Sequence, residues 1–200
     1  MLDIIFPNYF YSLIAPPNRK ELITTLNNAK IDKKESEKIT WPNSCEIKVE
    51  SLYPELLEPV LKETFNLFYS DIGIGEYDEY FSDRKILSIW KSTYNKGYYQ
   101  EIHHHLTPEG SDFSGVIFLN DYVEGAAQFY FYNKHYSDMS PSWMKLLEKT
   151  GQPYHMTSQQ CLTKPKAGDV VLFPSYMMHG VTMHRINQRR TTVAFNVAFR

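Results

Sequence analysis

Two cysteines in 200 residues cannot build a disulfide framework, so Cys45 and Cys161 are expected to be reduced thiols in a cytoplasmic protein. An excess of one charge is missing as well. Lysine and arginine number 21 against 23 aspartates and glutamates, leaving a net charge of −2. That balance offers no basic footprint for nucleic acid and no acidic tail. No apolar run approaches the roughly 20 residues that a membrane helix needs. The stretch MLDIIFPNYFYSLIAPPN is apolar, but Asp3, Pro7 and Asn8 interrupt it and no basic segment precedes it. It reads as a core strand with a turn, not as a secretion signal. Internal repeats and linkers are also absent. With 42% hydrophobic residues, these exclusions predict one soluble domain over residues 1–200 with a sizeable core.

What the chain has in abundance is aromatic: 15 tyrosines and 12 phenylalanines, residues that favour strands and also line ligand clefts. Residues 1–85 read as a supporting layer of strand and helix. Asn18 and Glu21 have capping-box spacing ahead of RKELITTLNNA. KIDKKESEK reads as a solvated loop, and DIGIGEYDEY as another. A second helix starts at Pro59, with Val60, Leu61, Phe65 and Phe68 at helical spacing. From residue 86 onward the texture is strands and turns. ILSIWKSTY, the turn NKG and YYQEIHHH suggest a hairpin. SGVIFLN, GAAQFYFYN, DVVLFPS and TTVAFNVAF complete the set. Between the last four lies a long polar segment, residues 133–165, of the kind that forms lids, binding loops or simple insertions. The fold class is therefore mainly β, an antiparallel sandwich with a helical layer ahead of it.

Three consecutive histidines stand in YYQEIHHH. Strand side chains alternate between faces, which groups Tyr99, Glu101, His103 and His105 on one side and Gln100, Ile102 and His104 on the other. His103 and His105 could chelate one ion, and His179 in FPSYMMHGV is the best third ligand from another strand. Three protein ligands with open positions are what a catalytic metal requires. His135, His155 and His184 lie in or beside loops and are expected to be satisfied or solvent-facing. Cys161 has no partner spacing for a metal site.

These residues, taken together, resemble the Fe(II)- and 2-oxoglutarate-dependent dioxygenases, in particular the small prolyl-4-hydroxylase-like branch found in bacteria and phages. The approach Tyr94-x-x-Gly97-x-x-Gln100-x-x-His103-x-His105 and the strand SGVIFLN resemble the family's first metal-ligand region. KAGDVVLFPSYMMHGVTMHRINQRRTTVAFNVAF resembles its distal half. The likeness covers about residues 86–132 and 165–200. It implies a double-stranded β-helix (jelly roll) over residues 86–200, supported by N-terminal helices. It also implies Fe(II), 2-oxoglutarate and O2 as cofactor and cosubstrates, with His103 and His179 as iron ligands. Arg190 would pair with the distal carboxylate of 2-oxoglutarate, a role suited to a bidentate, always-charged guanidinium. Thr192, two residues on, would add a hydrogen bond, while Arg189 points away as a surface charge. The implied reaction hydroxylates an unidentified substrate and releases succinate and CO2.

The sequence departs from the family pattern in two places. Where a carboxylate usually follows the first histidine by two residues, this chain has His105. The compared branch also carries His-x-His, and Glu101 and Asp112 remain as alternative third ligands. Gln100 stands where many relatives have a tyrosine that contacts the cosubstrate, and reaching the site from the opposite face would require a bulge or bend. Substrate contacts are sought in QFYFY and in residues 133–165. Two other readings stay open: a three-histidine cupin-type dioxygenase that needs no 2-oxoglutarate, and a non-catalytic jelly-roll binding module.

Overall fold

A computed structural model of the chain describes residues 11–39, 47–71, 84–106, 110–132, 145, 149, 159–162 and 164–199. Its strands are β1 (Ser12–Ile14), β2 (Lys48–Ser51), β3 (Arg84–Tyr94), β4 (Gln100–His103), β5 (Phe113–Phe118), β6 (Phe129–Tyr132), β7 (Gln159–Cys161), β8 (Val170–Pro174), β9 (His179–Val181) and β10 (Arg190–Phe199). Helices α1 (Arg19–Asn27), α2 (Lys33–Ser36) and α3 (Glu58–Asp71) precede β3. Two antiparallel sheets result, one ordered β1-β8-β5-β10-β3-β2 and the other β4-β9-β6-β7. From β3 onward the chain passes repeatedly from one sheet to the other. This is the jelly-roll arrangement expected from the sequence.

The six-stranded sheet is buried on both faces, which is why its central strands read as nearly continuous apolar runs. Along β10, Val193, Phe195 and Val197 face outward and pack with Leu22, Leu26, Leu61, Phe65 and Phe68 of the helices. Here Gly115 has a clear reason to be glycine, because a Cβ would be driven into the Phe195 ring. On the inward face of the same sheet, Tyr94, Val116, Phe118 and Phe173 meet Phe129, Phe131 and Val181 of the four-stranded sheet. This second core lies between the sheets and forms the walls of the site. Among the described residues, no helix is long and apolar enough to cross a membrane.

Several local expectations are corrected. NKG does turn the chain: the Tyr98 N–H donates to the Asn95 carbonyl at 3.0 Å, and Gly97 takes φ 90°. The turn nevertheless delivers the chain to the other sheet, so no hairpin forms. β3 pairs along its whole length with β10, from Tyr94 opposite Arg190 to Arg84 opposite Phe199. Four-residue β4 cannot offer a comparable ladder and pairs with β9. Helix α1 starts after Asn18, but the Asn18 side chain makes no capping bond. Its Nδ2 donates instead to the Val60 carbonyl at 2.9 Å, tying α1 to α3. KIDKKESEK contains the short helix α2, because the Asp32 carboxylate accepts the Glu35 N–H and caps it. Cys161 closes strand β7, opposite Tyr130, and is not in a loop. DIGIGEYDEY, His135, His155 and most of residues 133–165 lie outside the described residues.

Candidate metal and cosubstrate site

His103 ends β4, His179 begins β9, and the two are direct partners in the ladder. His105 lies just beyond β4, its N–H donating to the Ser175 carbonyl at 2.9 Å. Ring centroids are 4.3 Å apart for His103–His179 and 4.9 Å for both His103–His105 and His105–His179. One ligating nitrogen from each lies within 4.8 Å of the others, the one such group of metal-binding side chains among the described residues. The Nε2 atoms of His105 and His179 are 3.1 Å apart. Two nitrogens at right angles around a metal, each about 2.1 Å from it, sit roughly 3.0 Å apart. The His105–His179 pair therefore has the spacing of two adjacent positions on one coordination sphere, with a His103 nitrogen within 4.8 Å of both.

Two tautomers follow from the backbone. The Nδ1–H of His103 donates to the Glu101 carbonyl at 2.7 Å, and that of His179 to the Met177 carbonyl at 2.8 Å. Each Nε2 thus presents its lone pair to the centre. Phe129 stacks on His179 at 5.2 Å, Phe173 meets it edge-on at 4.8 Å, and Trp90 lies 5.2 Å from His105. QFYFY therefore contributes Phe129 and Phe131 to the wall behind the histidines, where substrate contacts had been expected.

Burial pushes all three histidines down, with the neighbouring imidazoles adding to it. His105 falls to about 3, and His179 lies well below the usual range. At neutral pH the cluster is unprotonated and ready for a cation. An unfolded chain takes up these protons near pH 6.5 while the folded one resists them, so stability is full above that value and is lost below it. The ligand-free protein is expected to lose denaturation midpoint steadily from pH 6.5 down toward 3, and a His105→Asn variant to lose less. Urea titrations at pH 8, 6 and 4.5 measure both slopes.

A narrow cavity continues inward from the histidines, lined among others by Ser92, Tyr94, Gln100, Arg190 and Thr192. Arg190 is 8% exposed, and its two terminal guanidinium nitrogens are buried without a hydrogen-bond partner. The guanidinium rests over the rings of Tyr94 at 5.1 Å and Phe118 at 5.5 Å. Burial lowers its pKa, yet an arginine stays charged in a protein. Burial likewise pushes the Tyr94 phenol up, against the pull of Arg190 and of the Thr192 and Ser92 hydroxyls. Tyr94 is the residue that sequence reasoning left without a role. Its signal was the position directly opposite Arg190, which only the sheet register supplies.

Gln100 required a bulge, and the structure has one. Gln100 pairs with Val181 and His103 with His179, so four residues of β4 lie against three of β9. The extra residue turns Gln100 onto the face of His103. Its Oε1 accepts the Tyr94 hydroxyl at 2.9 Å, and its Nε2 donates to His103 Nε2 at 3.3 Å.

The acids stay out of the cluster. Glu101 is exposed and serves through its carbonyl. The Asp112 carboxylate accepts the Phe199 N–H at 2.7 Å. His104 is exposed and accepts the Leu106 N–H, and Arg189 is exposed as expected. His184 is buried and satisfied: it accepts from the Ala127 N–H and donates to the Gln188 carbonyl.

A family model described as "Putative 2OG-Fe(II) oxygenase" matches residues 88–196. No curated protein sequence is similar enough to match. Among solved structures, the viral collagen prolyl hydroxylase vCPH of Paramecium Bursaria Chlorella virus-1, in its 2OG complex, is 14% identical. It aligns over 95% of this chain and 96% of its own, with a TM-score of 0.56. A Pseudomonas putida prolyl-4-hydroxylase is 15% identical over 96% of this chain and 93% of its own, with a TM-score of 0.53. HygX of Streptomyces hygroscopicus, crystallised with nickel, 2-oxoglutarate and hygromycin B, is 12% identical over 95% and 82%, with a TM-score of 0.52. At such identities the structures speak for the fold, and the family match carries the classification. The chain belongs to the 2OG-Fe(II) oxygenases, enzymes that use Fe(II), 2-oxoglutarate and O2.

Proposed function

We propose that this oxygenase hydroxylates a substrate C–H bond, holding its metal on His103, His105 and His179 and its 2-oxoglutarate on Arg190. The observation that carries the reading is the buried guanidinium of Arg190, unpartnered at the inner end of the cavity that the histidines open. A charge left so is costly unless an anion joins it, and a carboxylate fits its two parallel N–H donors. A three-histidine centre that took its substrate directly would leave that charge uncompensated. Thr192 lines the same cavity and its hydroxyl would be available to that carboxylate, while the Tyr94 hydroxyl donates to Gln100. Gln100 donates to the lone pair that a metal would claim on His103. With the metal in place, that N–H is free to turn to the cosubstrate's inner oxygens.

Bound Fe(II) supplies the oxygen chemistry: 2-oxoglutarate loses CO2 and becomes succinate with one atom of O2, and the other atom enters the substrate as a hydroxyl. The protein's part is to hold, orient and keep dry. Phe118, Phe129 and Phe173 exclude water from the inner cavity. On its outer side, Trp90, Gln100, His103 and His105 also border a wider cleft with Ser88, Ile102 and Asn196 in its lining. A substrate entering there would reach His103 and His105 through a cleft whose lining does not include Arg190.

Anaerobic titration with Fe(II) followed by 2-oxoglutarate tests the reading. A weak visible charge-transfer band is expected only when both are present, and it should saturate at one equivalent of each. A protein that binds Fe(II) without developing this band on addition of 2-oxoglutarate overturns the cosubstrate assignment.

A further inference from the structure

Two of the three histidines are oriented by a carbonyl two residues earlier in the chain. His105 is different. Among the described residues nothing bonds its Nδ1, and its fixed hydrogen bond is the backbone N–H to the Ser175 carbonyl. What holds Ser175 then becomes the question.

The answer is a row of polar side chains across the inward face of the six-stranded sheet. Ser88, Asn196 and Ser114 occupy directly paired positions on β3, β10 and β5. Asn196 Nδ2 donates to Ser88 Oγ at 3.2 Å, and Ser114 Oγ donates to Asn196 Oδ1 at 2.9 Å. Ser175 Oγ lies 2.8 Å from Ser114 Oγ and 2.6 Å from Ser111 Oγ. Since the Ser114 proton is committed to Asn196, Ser175 donates to Ser114, and Ser111 donates to Ser175 at 2.6 Å, with the Phe113 carbonyl a longer second acceptor at 3.4 Å. The donors therefore run one way, from Ser111 through Ser175 and Ser114 to Asn196 and Ser88, and every member is satisfied. Ser111, Ser114, Ser175 and Asn196 are all buried.

On β5 and β8 the other inward positions are apolar: Val116, Phe118, Val171 and Phe173. An apolar row would serve stability as well here, since buried polar networks gain little over well-packed hydrocarbon. The row's distinctive effect is to fix the Ser175 main chain. The Ser175 N–H is held as well, by the Asp112 carbonyl at 2.9 Å.

We propose that the Ser111–Ser175–Ser114–Asn196–Ser88 ladder is the positioning device for His105, doing through the main chain what a ring-to-carbonyl bond does for His103 and His179. The proposal rests on His105 being the third metal ligand. Ser114 is the member to remove, because its loss strands both Ser175 and Asn196.

Co(II) titration of wild type, Ser114→Ala, Ser111→Ala, His105→Ala and Ser12→Ala separates the possibilities. Ser12→Ala controls for loss of a buried hydroxyl, since Ser12 bonds Asp71 of α3 and has no part in the row. Binding constants and visible d–d bands are read beside the unfolding midpoint of each metal-free protein. Ser114→Ala is expected to weaken Co(II) binding roughly tenfold, the lower range for losing an outer-shell support, and to move the bands toward those of His105→Ala. Ser111→Ala, which removes the end bond of the row and a long contact with the Phe113 carbonyl, is expected to act in the same direction more weakly, and it decides the matter should Ser114→Ala not fold. A Ser-to-Ala protein with a lowered midpoint but wild-type affinity and bands, while His105→Ala binds weakly, overturns the positioning role and leaves the third-ligand assignment standing. Wild-type affinity and bands in His105→Ala itself overturn that assignment and the positioning role with it.

Discussion

Replacing Arg190 with methionine will stabilise the ligand-free protein and abolish its response to 2-oxoglutarate. The two effects have opposite signs and one cause. In the free protein the guanidinium is buried with no hydrogen-bond acceptor on its terminal nitrogens. Its contacts with the rings of Tyr94 and Phe118 return about 1–2 kcal/mol, whereas desolvating a charge costs several. Methionine fills much of the same volume without that cost, so a gain of about 1–3 kcal/mol is expected. For a chain of this size that raises the melting midpoint by several degrees, at about 2–4 °C per kcal/mol. With 2-oxoglutarate the balance reverses. Stranding a carboxylate in this cavity costs about 3–5 kcal/mol, or about two to four orders of magnitude in affinity. Arg190→Lys keeps the charge but not the paired donors, and falls between. Differential scanning with and without the cosubstrate measures both signs. A methionine variant that is less stable than wild type and still shifted by 2-oxoglutarate would sink the assignment.

His103→Ala and His179→Ala will each lower Fe(II) affinity by more than about 100-fold, beyond the 10–100-fold typical of outer-shell losses. His105→Ala is expected to do the same, since its Nε2 sits 3.1 Å from that of His179. The two acids provide the contrast. Glu101→Ala will bind Fe(II) as wild type does, because its carboxylate is exposed and its contribution is a carbonyl that alanine retains. Asp112→Ala will keep the metal but lose about 1 kcal/mol of stability, because its carboxylate holds the Phe199 N–H. Equilibrium dialysis with Fe(II) under nitrogen, beside urea midpoints, gives both numbers. Loss of iron binding in only one of the acid variants would return the third-ligand position to that acid.

The sequence was most legible where periodicity carried the information. Alternation separated His104 from His103 and His105, and helical spacing placed Val60, Leu61, Phe65 and Phe68 on the buried side of α3. Register and crossing were not legible. ILSIWKSTY and YYQEIHHH flank a real turn, yet pairing goes to the partner with the longer ladder, and that partner is about a hundred residues away. The same blindness hid Tyr94, whose importance comes from lying opposite Arg190. It also misjudged Asn18, whose side chain has a choice between its own helix and Val60 and takes the latter. Asp112 looked like a spare carboxylate because nothing local reveals that the last strand returns to it.

The bulge between Gln100 and His103 makes the site sensitive to chain length as well as to composition. One residue fewer there restores regular alternation, so the segment before the deletion turns half a revolution relative to the histidines. Gln100 would then leave the cavity and Tyr94 would lose its acceptor, with every side chain of the site still present. A chain shortened by one residue at this point is, in effect, a different assembly of the same parts. An alignment that closes a single-residue gap between Gln100 and His103 will pair residues from opposite faces of a sheet.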